Sequence, residues 1–148
     1  MTLTTTTHLN FHGDARAALE FYGSVFGGQV AITTYGDFGM PADAPGADSV
    51  VFGRVETAGG FRVMAYDVLD GAAPAAGSTR RQSGITLTDQ SFFVAVSGET
   101  LAEVEGFWAG LSEGASIVEP LAASAWSPGF GMLTDRFGVT WVLDVRAA

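Results

Sequence analysis

The period of the apolar and polar residues changes repeatedly along the chain, and each change marks a new element. Over 5–11 the residues alternate in twos, with Leu9 and Phe11 on one face and His8 and Asn10 on the other, which predicts a short strand. From Asp14, which reads as an N-cap, Ala15, Ala18, Leu19, Tyr22, Val25 and Phe26 recur at helical spacing until Gly27-Gly28 interrupts them, which predicts a helix. β-rich runs at about 29–36, 48–56 and 61–68 predict three more strands, the last two separated by the Gly59-Gly60 hairpin signal. The second half predicts a strand at 91–97, a helix at about 100–112 opening on the capping box Thr100-x-x-Glu103, and strands at about 115–119, 130–135 and 139–145. The order is βαβββ, twice.

The two halves also resemble each other in detail. Segment 9–30 (LNFHGDARAALEFYGSVFGGQV) and segment 93–118 (FVAVSGETLAEVEGFWAGLSEGASIV) share an extended run, a helical run and a Gly-rich break, with Phe107-Trp108 standing where the first has Phe21-Tyr22. Residues 61–68 (FRVMAYDV) have an echo in 137–145 (FGVTWVLDV), both closing on Asp-Val. A repeated unit exposes an apolar face that its twin can cover, and ligand sites then tend to lie between the copies. We read the chain as one domain, 1–148, with module one at 1–70 and module two at 91–148. The connector, 69–90, is rich in Gly, Ala, Pro and Ser and carries Arg80-Arg81; it reads as a plain linker or a mobile lid.

Composition narrows the function classes. The absence of Cys removes disulfides, thiolate metal sites and a Cys nucleophile, and makes a cytoplasmic location the expectation. The basic residues are all Arg, and the net charge of −9 would repel phosphate backbones, so no nucleic-acid partner is expected. No apolar run approaches the roughly 18 residues of a membrane span, so no membrane partner is expected either. Gly110-Leu111-Ser112-Glu113-Gly114 matches a nucleophile-elbow pattern, but Ser112 follows a helix and no His occurs after His12. Asp37-Phe38-Gly39 imitates a kinase motif in a chain that has no Lys to meet ATP phosphates.

The pattern Leu9-x-Phe11-x-Gly13-x-Ala15-x-x-Ala18-x-x-Phe21-Tyr22, followed by Phe26-Gly27-Gly28 and later by Asp135-Arg136-Phe137-Gly138-Val139-x-Trp141, resembles the vicinal oxygen chelate superfamily of glyoxalase, bleomycin-resistance and extradiol-dioxygenase folds. Within it the chain is most similar to the PhnB-like branch, also called demethylubiquinone methyltransferase-like. The resemblance spans nearly the whole chain and implies an α+β fold, two βαβββ modules forming curved mixed sheets around a central cavity, commonly in a homodimer with shared sheet edges. Its motifs are structural and specify fold more than activity. Methyl transfer finds no Gly-rich loop here for a nucleotide-like cofactor, and no cofactor is expected.

Many members of the superfamily hold a divalent metal through His and Glu side chains on the first and last strands of each module. At the positions that match, this chain has Thr6 or Thr7, Phe92 or Phe93, Tyr66 or Asp67, and Val142 just after Trp141. A catalytic transition-metal site usually needs three protein ligands, so no metal is expected. His8 and His12 cannot rescue it: residues four apart on a strand lie roughly 13 Å apart, whereas ligands of one ion each lie about 2 Å from it. A site built on His8, Asp67 and Asp144 stays open as an alternative, beside the reading of both aspartates as strand-end residues.

What remains is an aromatic-rich interior of Phe38, Phe52, Phe61, Tyr66, Phe93, Trp126, Phe130 and Trp141 with Met64 and Met132, mostly core by default, with some members free to form a stacking pocket. The expected ligand-binding residues are His8, Asn10, Tyr66, Asp67, Phe93, Trp126 and Trp141. Trp126 lies in an irregular stretch beside Pro128-Gly129 that could fold over a cavity mouth. The expected function is a metal-free small-molecule-binding protein that holds an apolar or aromatic ligand in the cavity between modules. The alternative is a divalent-metal lyase, isomerase or dioxygenase of the same superfamily.

Overall fold

The computed structural model describes residues 2–146, in two compact units that divide between Pro74 and Ala75. The first contains β1 (Thr7–Phe11), α1 (Ala15–Phe26), β2 (Gln29–Thr34), β3 (Val50–Glu56) and β4 (Arg62–Asp67). The second contains β5 (Thr79–Gln82), β6 (Ile85–Thr88), β7 (Val94–Gly98), α2 (Leu101–Ser112), β8 (Ser116–Ala122), β9 (Phe130–Thr134) and β10 (Thr140–Val145). The fold class is α+β. The four-stranded sheets run β1-β4-β3-β2 and β7-β10-β9-β8, so each module places its first strand beside its last. Those pairs, β1 with β4 and β7 with β10, are parallel, and the other neighbours are antiparallel. None of the described helices is long and apolar enough to cross a membrane.

In the first unit α1 packs against β2, β3 and β4. Its buried stripe, Ala15, Ala18, Leu19, Tyr22, Gly23 and Phe26, is the helical period read from the sequence. Val50, Val55, Val63, Ala65, Leu9 and Phe11 meet it from the strands, each alternating with a less buried neighbour. Gly27 ends the helix in the left-handed region, at φ 73°, with its N–H on the Gly23 carbonyl. Asp14, expected as the N-cap, makes no side-chain cap bond. Asp67 serves instead, from the far end of β4: its Oδ1 accepts the N–H groups of Gly13 at 2.9 Å and Ala15 at 3.1 Å.

The second unit repeats the plan with different local chemistry. Thr100 caps α2 by accepting the Glu103 N–H at 3.2 Å, while the Glu103 carboxylate accepts the Glu99 N–H at 2.9 Å, so the capping box forms. Thr100→Ala should destabilise the protein by about 1 kcal/mol, read from urea unfolding midpoints; an unchanged midpoint would show the cap to be idle. Below α2 lie Trp141, Leu143 and Leu133, all fully buried, and Gly131 brings the sheet so near that an added Cβ would sit 2.7 Å from the Trp108 ring.

The stretch 69–90, read as a linker or lid, holds a β-hairpin, β5–β6, turned by Ser83 and Gly84 at φ 53° and 76°. Arg81 and Thr86 face inward: Arg81 Nη1 donates to Thr86 Oγ1 at 2.9 Å, the Arg81 guanidinium lies 5.4 Å from the Phe130 ring centre and its Nε is 3.5 Å from Glu119, and Thr86 Oγ1 meets Met132 Sδ at 3.8 Å. Gln90 accepts hydroxyls of Thr79 at 2.9 Å and Thr140 at 2.6 Å at its base. The hairpin's apolar residues, Ile85 and Leu87, face solvent.

Candidate functional site

Strand alternation sorts the first sheet into two faces. Leu9, Phe11, Val63, Ala65 and Val55 point to α1, so His8, Asn10, Met64, Tyr66, Phe52 and Arg54 occupy the face without a helix. The β1–β4 register sets His8 beside Met64 and Asn10 beside Tyr66, and the β3–β4 register continues the first row with Arg54. The His8 ring meets Tyr66 edge-on, with centroids 5.2 Å apart at 65°, and His8 Nδ1 lies 3.1 Å from Asn10 Oδ1. His8 and Asn10 are exposed, and Phe52 is 41% exposed. The result is an apolar floor of Met64, Tyr66 and Phe52 with a small polar group at one end, which is how ligand-binding surfaces are commonly composed. Arg54 stands at the rim, 3.6 Å from Glu56.

Three of the expected site residues, His8, Asn10 and Tyr66, are therefore brought together. Asp67, next to Tyr66, points to the opposite side. It is buried, and besides its two bonds near α1 its Oδ2 accepts the Val50 N–H at 2.9 Å. This carboxylate belongs to the frame, because three backbone donors already occupy it. Trp141 is likewise corrected: it has no exposed surface, and its Nε1 donates to Asp135 Oδ2 at 2.9 Å beneath α2. Phe93 stands half-buried just before β7. Trp126 is 59% exposed and meets the Phe130 ring edge-on at 5.2 Å. Arg81, singled out in the connector, lies over the Phe130 ring and 3.5 Å from Glu119; its hairpin and that carboxylate escaped sequence reading, although the Ser83-Gly84 turn signal between Arg81 and the alternating run 85–88 would have located the hairpin.

A cavity of about 410 Å³ lies on the helix side of the first sheet, bounded by Gly13, Arg16, Glu20, Gly46, Asp48 and Asp67. It is open and its rim charges are exposed and of both signs, while its buried carboxylate is the one already engaged by backbone. Near it, Tyr35 donates its hydroxyl to the Asp67 carbonyl at 2.7 Å, and burial, followed by Tyr66 and Asp67, pushes its phenol above the ordinary value. Asp37 is held below the usual carboxylate range, chiefly by the backbone N–H of Thr34 at 2.9 Å, then by the Thr34 side chain.

The donor sets do not fit the divalent metal that the resemblance implies. On the first sheet His8 engages Asn10 through Nδ1, while Asp67 faces the other side. On the second, Val142 places an apolar side chain on the face away from α2, and Asp144 Oδ1 accepts the Ser97 hydroxyl at 2.5 Å. Among the described residues no three His, Asp or Glu side chains lie close enough together to hold an ion.

Comparison with known proteins agrees with this architecture. Residues 7–143 match the model of the Glyoxalase/Bleomycin resistance protein/Dioxygenase superfamily. Protein PA1353 from Pseudomonas aeruginosa is 31% identical, with a TM-score of 0.77 over 98% of each chain. The PhnB protein from Bacillus cereus is 25% identical, with a TM-score of 0.70 over 97% of this chain and 100% of its own. A glyoxylase/bleomycin resistance protein/dioxygenase domain from Frankia sp. EAN1pec, at 10% identity and a TM-score of 0.66 over 99% of this chain and 93% of its own, shares the fold. No curated protein matches the chain. With βαβββ modules twice over and a family match that runs from β1 into β10, the chain belongs to the Glyoxalase/Bleomycin resistance protein/Dioxygenase superfamily, in its PhnB-like branch.

Proposed function

We propose that this protein binds a small apolar or aromatic molecule, in the manner of the glyoxalase/bleomycin-resistance type, and does so without a catalytic metal. The observation that carries the reading is the bare face of the first sheet, where Tyr66, Met64 and the exposed Phe52 ring form an apolar floor with His8 and Asn10 at its edge. Planar ligands can stack on such a floor, and the short polar groups orient them. The scattered donor atoms support the metal-free part of the proposal, since no first- or last-strand position supplies a converging set. The resemblance also leads us to propose a homodimer.

Native mass spectrometry of freshly purified protein tests this directly, because it reports subunit number, metal and co-purified small molecules together. One tightly held divalent ion per subunit would replace this reading with the metal-dependent lyase, isomerase or dioxygenase alternative. Titration with naphthalene gives a second check: Tyr66→Ala and Phe52→Ala should each weaken binding by about tenfold. Unchanged affinity in both variants would remove the first-sheet face as the site.

A further inference from the structure

We infer that Asn10 fixes the tautomer of His8 and so makes the bare face of the first sheet selective for aromatic ligands that carry a free hydroxyl; this rests on the binding role proposed above. Residues two apart on a strand share a face, and here that spacing puts the Asn10 amide oxygen 3.1 Å from His8 Nδ1. With the amide oxygen, which only accepts, turned to the ring, Nδ1 carries the proton of the pair. A neutral imidazole has one N–H, and Nε2 is therefore left as an acceptor. Tyr66 holds the ring from the side by its edge-on contact, and His8 itself is exposed, so a ligand can reach it.

The neighbours define what should approach. Met64 lies opposite His8 in the β1–β4 register and Tyr66 opposite Asn10, while Phe52 precedes Gly53, which pairs with Ala65. A ring laid on Met64, Tyr66 and Phe52 brings a substituent to the His8 end of the floor. A substituent that donates satisfies Nε2, whereas an ether or a bare C–H leaves that acceptor without its bond and stripped of water. The chemical class is a phenol, naphthol or enol with an otherwise apolar body. Asn10 is a positioning residue, acting through His8.

The test uses the full chain with naphthalene, 1-methoxynaphthalene and 1-naphthol as probes, together with ¹⁵N NMR of the His8 ring. The neutral ring should show the Nδ1–H tautomer, lose it in Asn10→Ala and keep it in Asn10→Asp. The naphthol should bind about five- to tenfold more tightly than the methyl ether, and that ratio should fall to about one in His8→Phe and shrink in Asn10→Ala. A wild-type ring protonated on Nε2, equal binding of naphthol and ether, or a preference that survives His8→Phe would each overturn the hydroxyl selectivity while leaving the binding reading intact. Failure of all three probes to bind would overturn both.

Discussion

Asp67→Ala should destabilise the protein by about 3–5 kcal/mol, because it leaves three backbone N–H groups without their acceptor in and around a packed core. The donors are Gly13 and Ala15 at the start of α1, and Val50 at the start of β3. One carboxylate thus joins three elements that are distant in sequence, and its negative charge sits at the positive end of α1. Asp67 itself is only 3% exposed. Asp144→Ala is the matched comparison: the Asp144 carboxylate accepts a hydroxyl from Ser97 in an exposed setting, and its loss should change stability by less than about 1 kcal/mol. Urea unfolding followed by far-UV circular dichroism measures both. Equal effects of the two substitutions would refute the assignment of Asp67 to the frame.

The second large effect is expected at Trp141. Trp141→Ala removes the largest fully buried side chain of the protein and leaves Asp135 Oδ2 without the indole N–H, so about 3–5 kcal/mol should be lost. The Asp135 carboxylate also accepts the N–H groups of Phe137 at 2.8 Å and Val139 at 3.0 Å, which shape the turn from β9 to β10, and loosening it should spread the damage into that turn. Trp126→Ala, at the exposed indole of the same unit, should cost less than about 1 kcal/mol. If thermal and urea unfolding rank the two tryptophans in the reverse order, the placement of Trp141 beneath α2 is wrong.

Both substitutions touch positions where one residue decides the reading. The helix α1, the capping box of α2 and the facing of His8 and Asn10 were legible because each depends on a local period or spacing. Tyr66 and Asp67 are neighbours that face opposite sides of one strand, so naming both as ligand-binding could satisfy only one side of the sheet. The Asp-Val echo misleads for the same reason. Asp67 follows Val63 and Ala65 toward α1, whereas Asp144 falls between the buried Leu143 and Val145 and points away from α2. The contact of His8 with Tyr66 arises from the parallel pairing of β1 with β4, which joins residues more than fifty positions apart and leaves no trace in local composition. The hairpin escaped because its strands are four residues each and largely polar.

That hairpin breaks the equality of the two duplicated modules. Met64 on the first sheet stays partly open, whereas Met132 on the second is buried, with Thr86 of the hairpin against its sulfur. The hairpin's own oily residues look outward, and what it lays on Met132 and Phe130 is a hydroxyl and a guanidinium. The two like-built sheets therefore differ in what a substitution reaches: along the first it alters an uncovered surface, along the second the way the chain clasps itself.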